Sequence, residues 1–212
     1  SSVVGSYDIN ASNGSLTSGN YKFQFSKGVL TIGKATIAVV ADNKSKIYGS
    51  SNPALTASYS GFVNGENLST SGITGSPVIA TAVNNLTPVG NYEITITAGT
   101  LSASNYEFTY AKGNMAVNKA TVTITAEDKN KIYGDANPIF TATFNGFVNG
   151  ETLATSGISG TPSLTTAANA FTGTGVYAIV PATGSLLSDN YSFAFQNGKL
   201  TIGKATVTVT AD

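Results

Sequence analysis

The chain has no Cys, no His, no Arg and no Trp among its 212 residues, and its 11 acids are balanced by 11 cations, all of them Lys. Each absence closes off chemistry. Without imidazole or thiol there is no ready general base near neutral pH, no thiolate nucleophile, and no ligand set for structural zinc or haem. Without guanidinium there is no planar fork for phosphate. With 10% charged residues and zero net charge there is no basic stripe to displace counterions from nucleic acid, which is therefore not an expected partner. No apolar run approaches the roughly 20 residues that span a bilayer. The chain does not open on the basic-then-apolar pattern of a secretion signal, so any targeting signal is expected outside this window.

What is present is polar but uncharged: Ser, Thr, Asn and Gly make up 95 of the 212 residues. Thr-rich, Cys-free sequence fits the outside of a cell, although zero Cys is equally compatible with a reducing compartment.

Internal repetition organises the rest. Lys34-Ala35-Thr36 returns as Lys119-Ala120-Thr121 and Lys204-Ala205-Thr206, a period of 85 residues. Lys46-Ile47-Tyr48-Gly49 returns as Lys131-Ile132-Tyr133-Gly134, Gly61-Phe62-Val63-Asn64-Gly65-Glu66 as Gly146-Phe147-Val148-Asn149-Gly150-Glu151, and Asn20-Tyr21 as Asn105-Tyr106 and Asn190-Tyr191. Without gaps, 34–118 and 119–203 share 39 of 85 residues. The expected organisation is residues 1–33 as the closing part of a repeat, 34–118 and 119–203 as full units, and 204–212 as the start of another. No Pro- or Ser-rich spacer separates the units, so neighbours are expected nearly collinear, in a semi-rigid array.

Strand signatures fill each unit. In Ala120-Thr121-Val122-Thr123-Ile124-Thr125-Ala126 small or apolar residues alternate with Thr, the period-2 pattern of a strand with one buried face, and Ala205 to Ala211 repeats it. Asn64-Gly65 and Asn149-Gly150 supply tight turns. The Asn-Gly-Glu segments 64–69 and 149–154 predict one helical turn per unit, with the Asn as cap. The expected core of the second unit includes Val122, Ile124, Ile132, Tyr133, Leu153, Ile179, Tyr191, Phe195, Leu200 and Ile202. The fold class is nearly all-β, as tandem small Ig-like β-sandwich modules set end to end; the alternative is a β-grasp-like mixed sheet around the short helix.

Lys-Ala-Thr, Lys-Ile-Tyr-Gly-x-x-Asn-Pro, Gly-Phe-Val-Asn-Gly-Glu and Asn-Tyr-x-Phe together resemble the MBG-type repeat with a Tyr-Gly-x signature, found in tandem in large bacterial surface and secreted adhesin-like proteins. The resemblance spans the chain. It implies an exported, non-catalytic stalk or filament module on the bacterial cell surface and carries over no catalytic residue or cofactor. Its partners would be neighbouring repeats and, in a filament, identical chains.

Few residues offer site chemistry. Asp42, Glu127 and Asp212 share one repeat position, and with Asp128 and Asp135 they are candidate calcium ligands, since Ca²⁺ takes oxygen donors. The competing reading is an edge charge that discourages lateral strand pairing. Lys34, Lys119 and Lys204 recur at the junctions, with Asn118 beside Lys119, and an isopeptide bond competes there with a wet, snorkelling Lys. Asn85-Leu86-Thr87 and Asn190-Tyr191-Ser192 match glycosylation acceptors. Glu66 and Glu151 are the acids in a recurrent motif, so a hydrolase reading would rest on Glu151. Aromatics on a sugar-binding face give the alternative function, in which the units bind glycans or a neighbouring surface; their apolar strand phase favours core packing.

Overall fold

The computed structural model describes residues 2–211. Among the described residues sixteen strands run in chain order: β1 (Gly5–Ile9), β2 (Gly28–Ile32), β3 (Ala35–Ala41), β4 (Lys44–Ile47), β5 (Ala57–Ser60), β6 (Val78–Ala80), β7 (Gly90–Thr97), β8 (Tyr106–Ala111), β9 (Gly113–Asn118), β10 (Ala120–Ala126), β11 (Lys129–Ile132), β12 (Ala142–Asn145), β13 (Ser163–Thr165), β14 (Gly175–Ala182), β15 (Tyr191–Gln196) and β16 (Gly198–Gly203). Among the described residues there is no helix.

The strands gather into two compact units that cut across the sequence repeats. One holds residues up to Lys44 with Ala54–Ala82 and Glu93–Asn114; the other holds everything from Met115 onward together with Ser45–Pro53 and Val83–Tyr92 of the first repeat.

In the second unit, β10 is central to a three-stranded sheet, antiparallel to β12 and parallel to β15. A four-stranded sheet runs β11-β16-β14-β13, with β11 parallel to β16 and the other neighbours antiparallel. The Ala120–Ala126 alternation does what its period demands, since Ala120, Val122, Ile124 and Ala126 are buried while Thr121 faces water. Ala126 meets Ile179, Leu200 and Ile202 of the second sheet, with Phe140, Leu164 and Tyr177 at the edge of that core. The small Ala side chains let the sheets approach while the branched residues fill the layer.

The first unit repeats this plan in a sheet of order β5-β3-β8 and a β6–β7 pair. It also holds the β1–β2 hairpin, in register from Gly5↔Ile32 to Ile9↔Gly28. Strand β1 corresponds to β7 and β14 in the repeat; Tyr7, Tyr92 and Tyr177 each donate their hydroxyl four residues back, to the carbonyls of Val3, Pro88 and Gly173.

Four expectations are corrected. The helical turn shrinks to a turn with a single i+4 hydrogen bond in each copy, Ser71 N to Asn67 O and Ser156 N to Thr152 O, both 2.9 Å. Asn64 and Asn149 do not cap it, because they sit at φ 56° and 55° in the left-handed region that Asn-Gly turns use. Residues 205–211 form no strand: β3 and β10 each pair with a segment 71 residues further on, and the described residues hold none for this one. Of the expected core, Ile132, Tyr133, Leu153 and Phe195 are exposed.

Candidate functional site

The Lys-Ile-Tyr-Gly-x-x-Asn-Pro motif closes on its own loop first. Lys46 is buried and donates from Nζ to Asn52 Oδ1 at 3.1 Å and to the Asn84 carbonyl at 2.8 Å, while Asn52 Nδ2 donates to the Val83 carbonyl at 2.6 Å. Burial pulls the Lys46 ammonium below its usual pKa, and the two oxygens compensate the desolvated charge. The second copy keeps two of these three bonds, Lys131 to the Asn169 carbonyl at 2.7 Å and Asn137 to the Ala168 carbonyl at 2.7 Å, while the other Lys131 acceptor is the Asp135 carbonyl at 3.0 Å. The tyrosine backbone is then pinned to the end of the repeat's last strand, Tyr48 N to Asn118 O at 2.8 Å and Tyr133 N to Gly203 O at 2.9 Å.

The Tyr48 side chain leaves its own repeat. Its hydroxyl donates to Glu151 Oε1 at 2.6 Å, and Tyr191 donates to Glu151 Oε2 at 2.5 Å, so one carboxylate receives two phenols. The Tyr48 and Tyr191 rings meet edge to face at 5.7 Å between centroids, and Phe147 meets Tyr191 from elsewhere at 5.9 Å. The Tyr191 oxygen also accepts the Val148 amide at 3.2 Å. Beside the ring, Gly49 at φ 86° lies so close to Val148 that a Cβ would meet Cγ2 at 2.4 Å. Asn149 Nδ2 donates to the Asn85 carbonyl at 3.1 Å, and Val89 N to Asn190 Oδ1 at 3.0 Å. In sequence Tyr48, Gly49, Asn85 and Val89 belong to the first repeat and their partners to the second; in space all belong to the second compact unit.

The arrangement keeps its hydroxyls protonated. Burial, and then the hydrogen bond to Glu151, push the Tyr191 phenol up to about 12. The hydrogen bond to Glu151, then burial, raise Tyr48. A phenol raised in this way stays protonated at neutral pH and donates a hydrogen bond.

Half of the same arrangement stands in the first unit. Tyr106 donates to Glu66 Oε2 at 2.5 Å, its oxygen accepts the Val63 amide at 3.3 Å, Phe62 meets its ring edge-on at 6.1 Å, and Val4 N donates to Asn105 Oδ1 at 3.3 Å. The hydrogen bond to Glu66 raises the Tyr106 phenol.

Asp42 accepts the hydroxyls of Thr56 and Ser58, and Glu127 accepts Thr141 at 2.6 Å and Lys129 at 3.1 Å; these bonds lower both carboxyls below their usual range. Asp128 Oδ1 accepts the Lys199 amide at 2.7 Å, as Asn43 Oδ1 accepts that of Asn114 at 2.8 Å. The Asp135 carbonyl serves Lys131, and Asp212 lies outside the described residues. No group of three or more acids able to hold a metal forms among the described residues. Lys34 and Lys119 are exposed and donate to the Ala103 and Ser188 carbonyls at 2.9 and 2.7 Å, and Asn118 offers its carbonyl to Tyr48. Sequence reasoning missed the union of Tyr48, Glu151 and Tyr191, although the recurrence of all three motifs at one period was the signal.

A tandem all-β repeat protein is thereby defined, with a tyrosine key in one copy and a tyrosine–glutamate socket in the next. The family profile described as MBG domain (YGX type) matches residues 37–116 and 122–201, and the chain belongs to that family, an adhesin-like repeat module. Tyr48-Gly49-Ser50 and Tyr133-Gly134-Asp135 are its Tyr-Gly-x elements. A search of curated proteins found no match.

Proposed function

We propose that this chain is a non-catalytic stretch of a bacterial surface protein, a stalk or filament body in which each repeat is fastened to the next. The observation that carries the reading is the pair of phenols from successive repeats on the single carboxylate of Glu151. The neutral, hydroxyl-rich composition and the adhesin-like family support an extracellular setting. Neighbouring repeats are the partners, and reach is the product.

Solution scattering tests this. A profile of stiff, linked repeats that loosens in Tyr48→Ala supports it, and a freely jointed profile in the unchanged chain defeats it. A glycan array tests the competing reading, in which the units themselves bind a surface; specific glycan binding by the unchanged chain would replace the stalk reading.

A further inference from the structure

We infer that the Glu66–Tyr106 socket of the first unit is a binding site for the Lys-x-Lys-Ile-Tyr-Gly strand and loop of another MBG repeat, whose tyrosine donates to Glu66 Oε1. The inference rests on the reading that a Tyr-Gly key fastens repeat to repeat, and it names the occupant of a socket that reading leaves unassigned.

Three independent observations converge. First, the sockets are equivalent atom by atom. Glu66 Oε2 takes Tyr106 as Glu151 Oε2 takes Tyr191, and the Val63 amide reaches Tyr106 as the Val148 amide reaches Tyr191. Glu151 Oε1 takes Tyr48, whereas Glu66 Oε1 receives no hydrogen bond among the described residues. Second, Glu66 and Tyr106 line a cavity of about 110 Å³ bounded also by Val63, Asn64, Asn105 and Gly33. Gly33 stands one period before Asn118, whose carbonyl holds the Tyr48 amide, so the cavity is lined by the counterpart of that acceptor residue as well as by Glu66.

Third, the neighbouring hairpin lacks a strand on the same side. β16 pairs with β14 and, in parallel, with β11; among the described residues β2 pairs with β1 alone. Leu30 is 52% exposed where its equivalent Leu200 is 0%, and Ile9 is 55% exposed where Ile179 is 0%. A strand laid parallel to β2 in the β11–β16 register ends with its isoleucine opposite Gly33, which lines the cavity, and puts its tyrosine next in the chain, as Tyr133 N reaches the Gly203 carbonyl. Apolar contact and main-chain bonds then act together, the ordinary terms of strand addition.

The occupant is this single strand and its loop. An intact second copy would bring its own β14–β16 hairpin to Asn105, where Val4 of the β1–β2 hairpin already donates.

The test is a titration of the isotope-labelled chain with a synthetic peptide of the sequence of residues 129–138. Saturable amide shifts at Gly33, Val63, Asn64 and Tyr106 are expected, weakened about tenfold or more when the peptide carries Ala for its Tyr and when the chain carries Glu66→Ala. A second arm places a copy of residues 34–85 ahead of the first residue; amide exchange at Tyr106 should slow, and should revert when the added Tyr is Ala. Either response supports the site, the second alone meaning that the strand needs its tether. Silence in both arms overturns it, as does equal binding of the Tyr→Ala peptide. A stiff scattering profile with a silent socket would sink this inference alone and leave the stalk reading standing.

Discussion

Tyr48 and Tyr133 occupy the same place in the 85-residue period, yet Tyr48 is 5% exposed and Tyr133 is 45% exposed. Their backbones are held alike, each amide on the end of its repeat's last strand. The difference lies in Glu151, Tyr191 and Val148, which receive Tyr48 and have no counterpart around Tyr133 among the described residues.

This contrast sets the first prediction. Tyr48→Ala removes a buried ring and a hydroxyl bound to a carboxylate, a loss on the order of 3 kcal/mol. Tyr133→Ala, at the surface, should shift the urea midpoint by a small fraction of that. Equal effects in the two variants would mean that the Tyr48 contact contributes nothing to stability.

Glycines adjoining the two tyrosines sharpen the comparison. Both Gly49 and Gly134 hold positive φ, 86° and 96°, so alanine costs about 1 kcal/mol of backbone strain at either. Only at Gly49 does the new Cβ also strike Val148, at 2.4 Å. Thermal unfolding should therefore fall further for Gly49→Ala than for Gly134→Ala. Amide exchange in residues 83–87 should rise only in the former.

Alkaline pH should loosen the second unit. Folding raises the Tyr191 phenol from its ordinary 10 to about 12, so its contribution is whole below pH 10 and is lost as pH climbs toward 12. Tyr48 and Tyr106 are shifted the same way. Lys46 works in the opposite sense, its lowered pKa relieving a cost as pH rises toward 10.5. Denaturant midpoints between pH 9 and 12 should fall for the unchanged chain and fall less for Tyr191→Phe; parallel curves would contradict the assignment.

Acid should act through Asp42 and Glu127. Their hydroxyl partners, with Lys129 at Glu127, hold both below the ordinary 3.8 and 4.5, so their contribution is present above those values and lost as pH falls through the folded ones. Circular dichroism of the Asp42→Asn, Glu127→Gln double variant should show a flatter acid limb than the unchanged chain.

The Asn of the motif offers the last prediction. Asn52 joins the loop to the 83–84 turn from both ends of its amide, accepting Lys46 and donating to the Val83 carbonyl. Asn52→Ala leaves a buried ammonium short of a partner, and a loss of about 2 kcal/mol is expected by chemical denaturation. Asn52→Ala with Lys46→Met should recover part of it, as a coupled pair does.

Much of the fold was legible because its signals are local. Strict alternation in Ala120–Ala126 requires one wet and one buried face, and that strand is central with its Ala, Val and Ile inside. Asn-Gly required a left-handed turn, which Asn64 and Asn149 adopt; the single helical turn expected with them as caps forms only one i+4 bond per copy, beginning at Asn67 and Thr152. The socket was illegible for a different reason. Tyr133 looked like a core residue because an aromatic beside Ile-x-Gly reads as packed, and nothing in a linear pattern says whether the packing partner lies in the same repeat. Glu151 stood out as a recurrent acid without a neighbour in sequence; its neighbours come from 103 residues before and 40 after.

By itself the sequence determined the repeat length, the β character of the strands, the turn positions and the exclusion of imidazole, thiol and guanidinium chemistry, because composition and short-range periodicity act on each residue through the chain next to it. Tertiary structure alone decided that Tyr48 is buried on Glu151 while Tyr133 is exposed among the described residues. Identical motifs differ in burial only when a partner from a distant segment excludes water from one of them, and the meeting of Tyr48 with Glu151 is such an event.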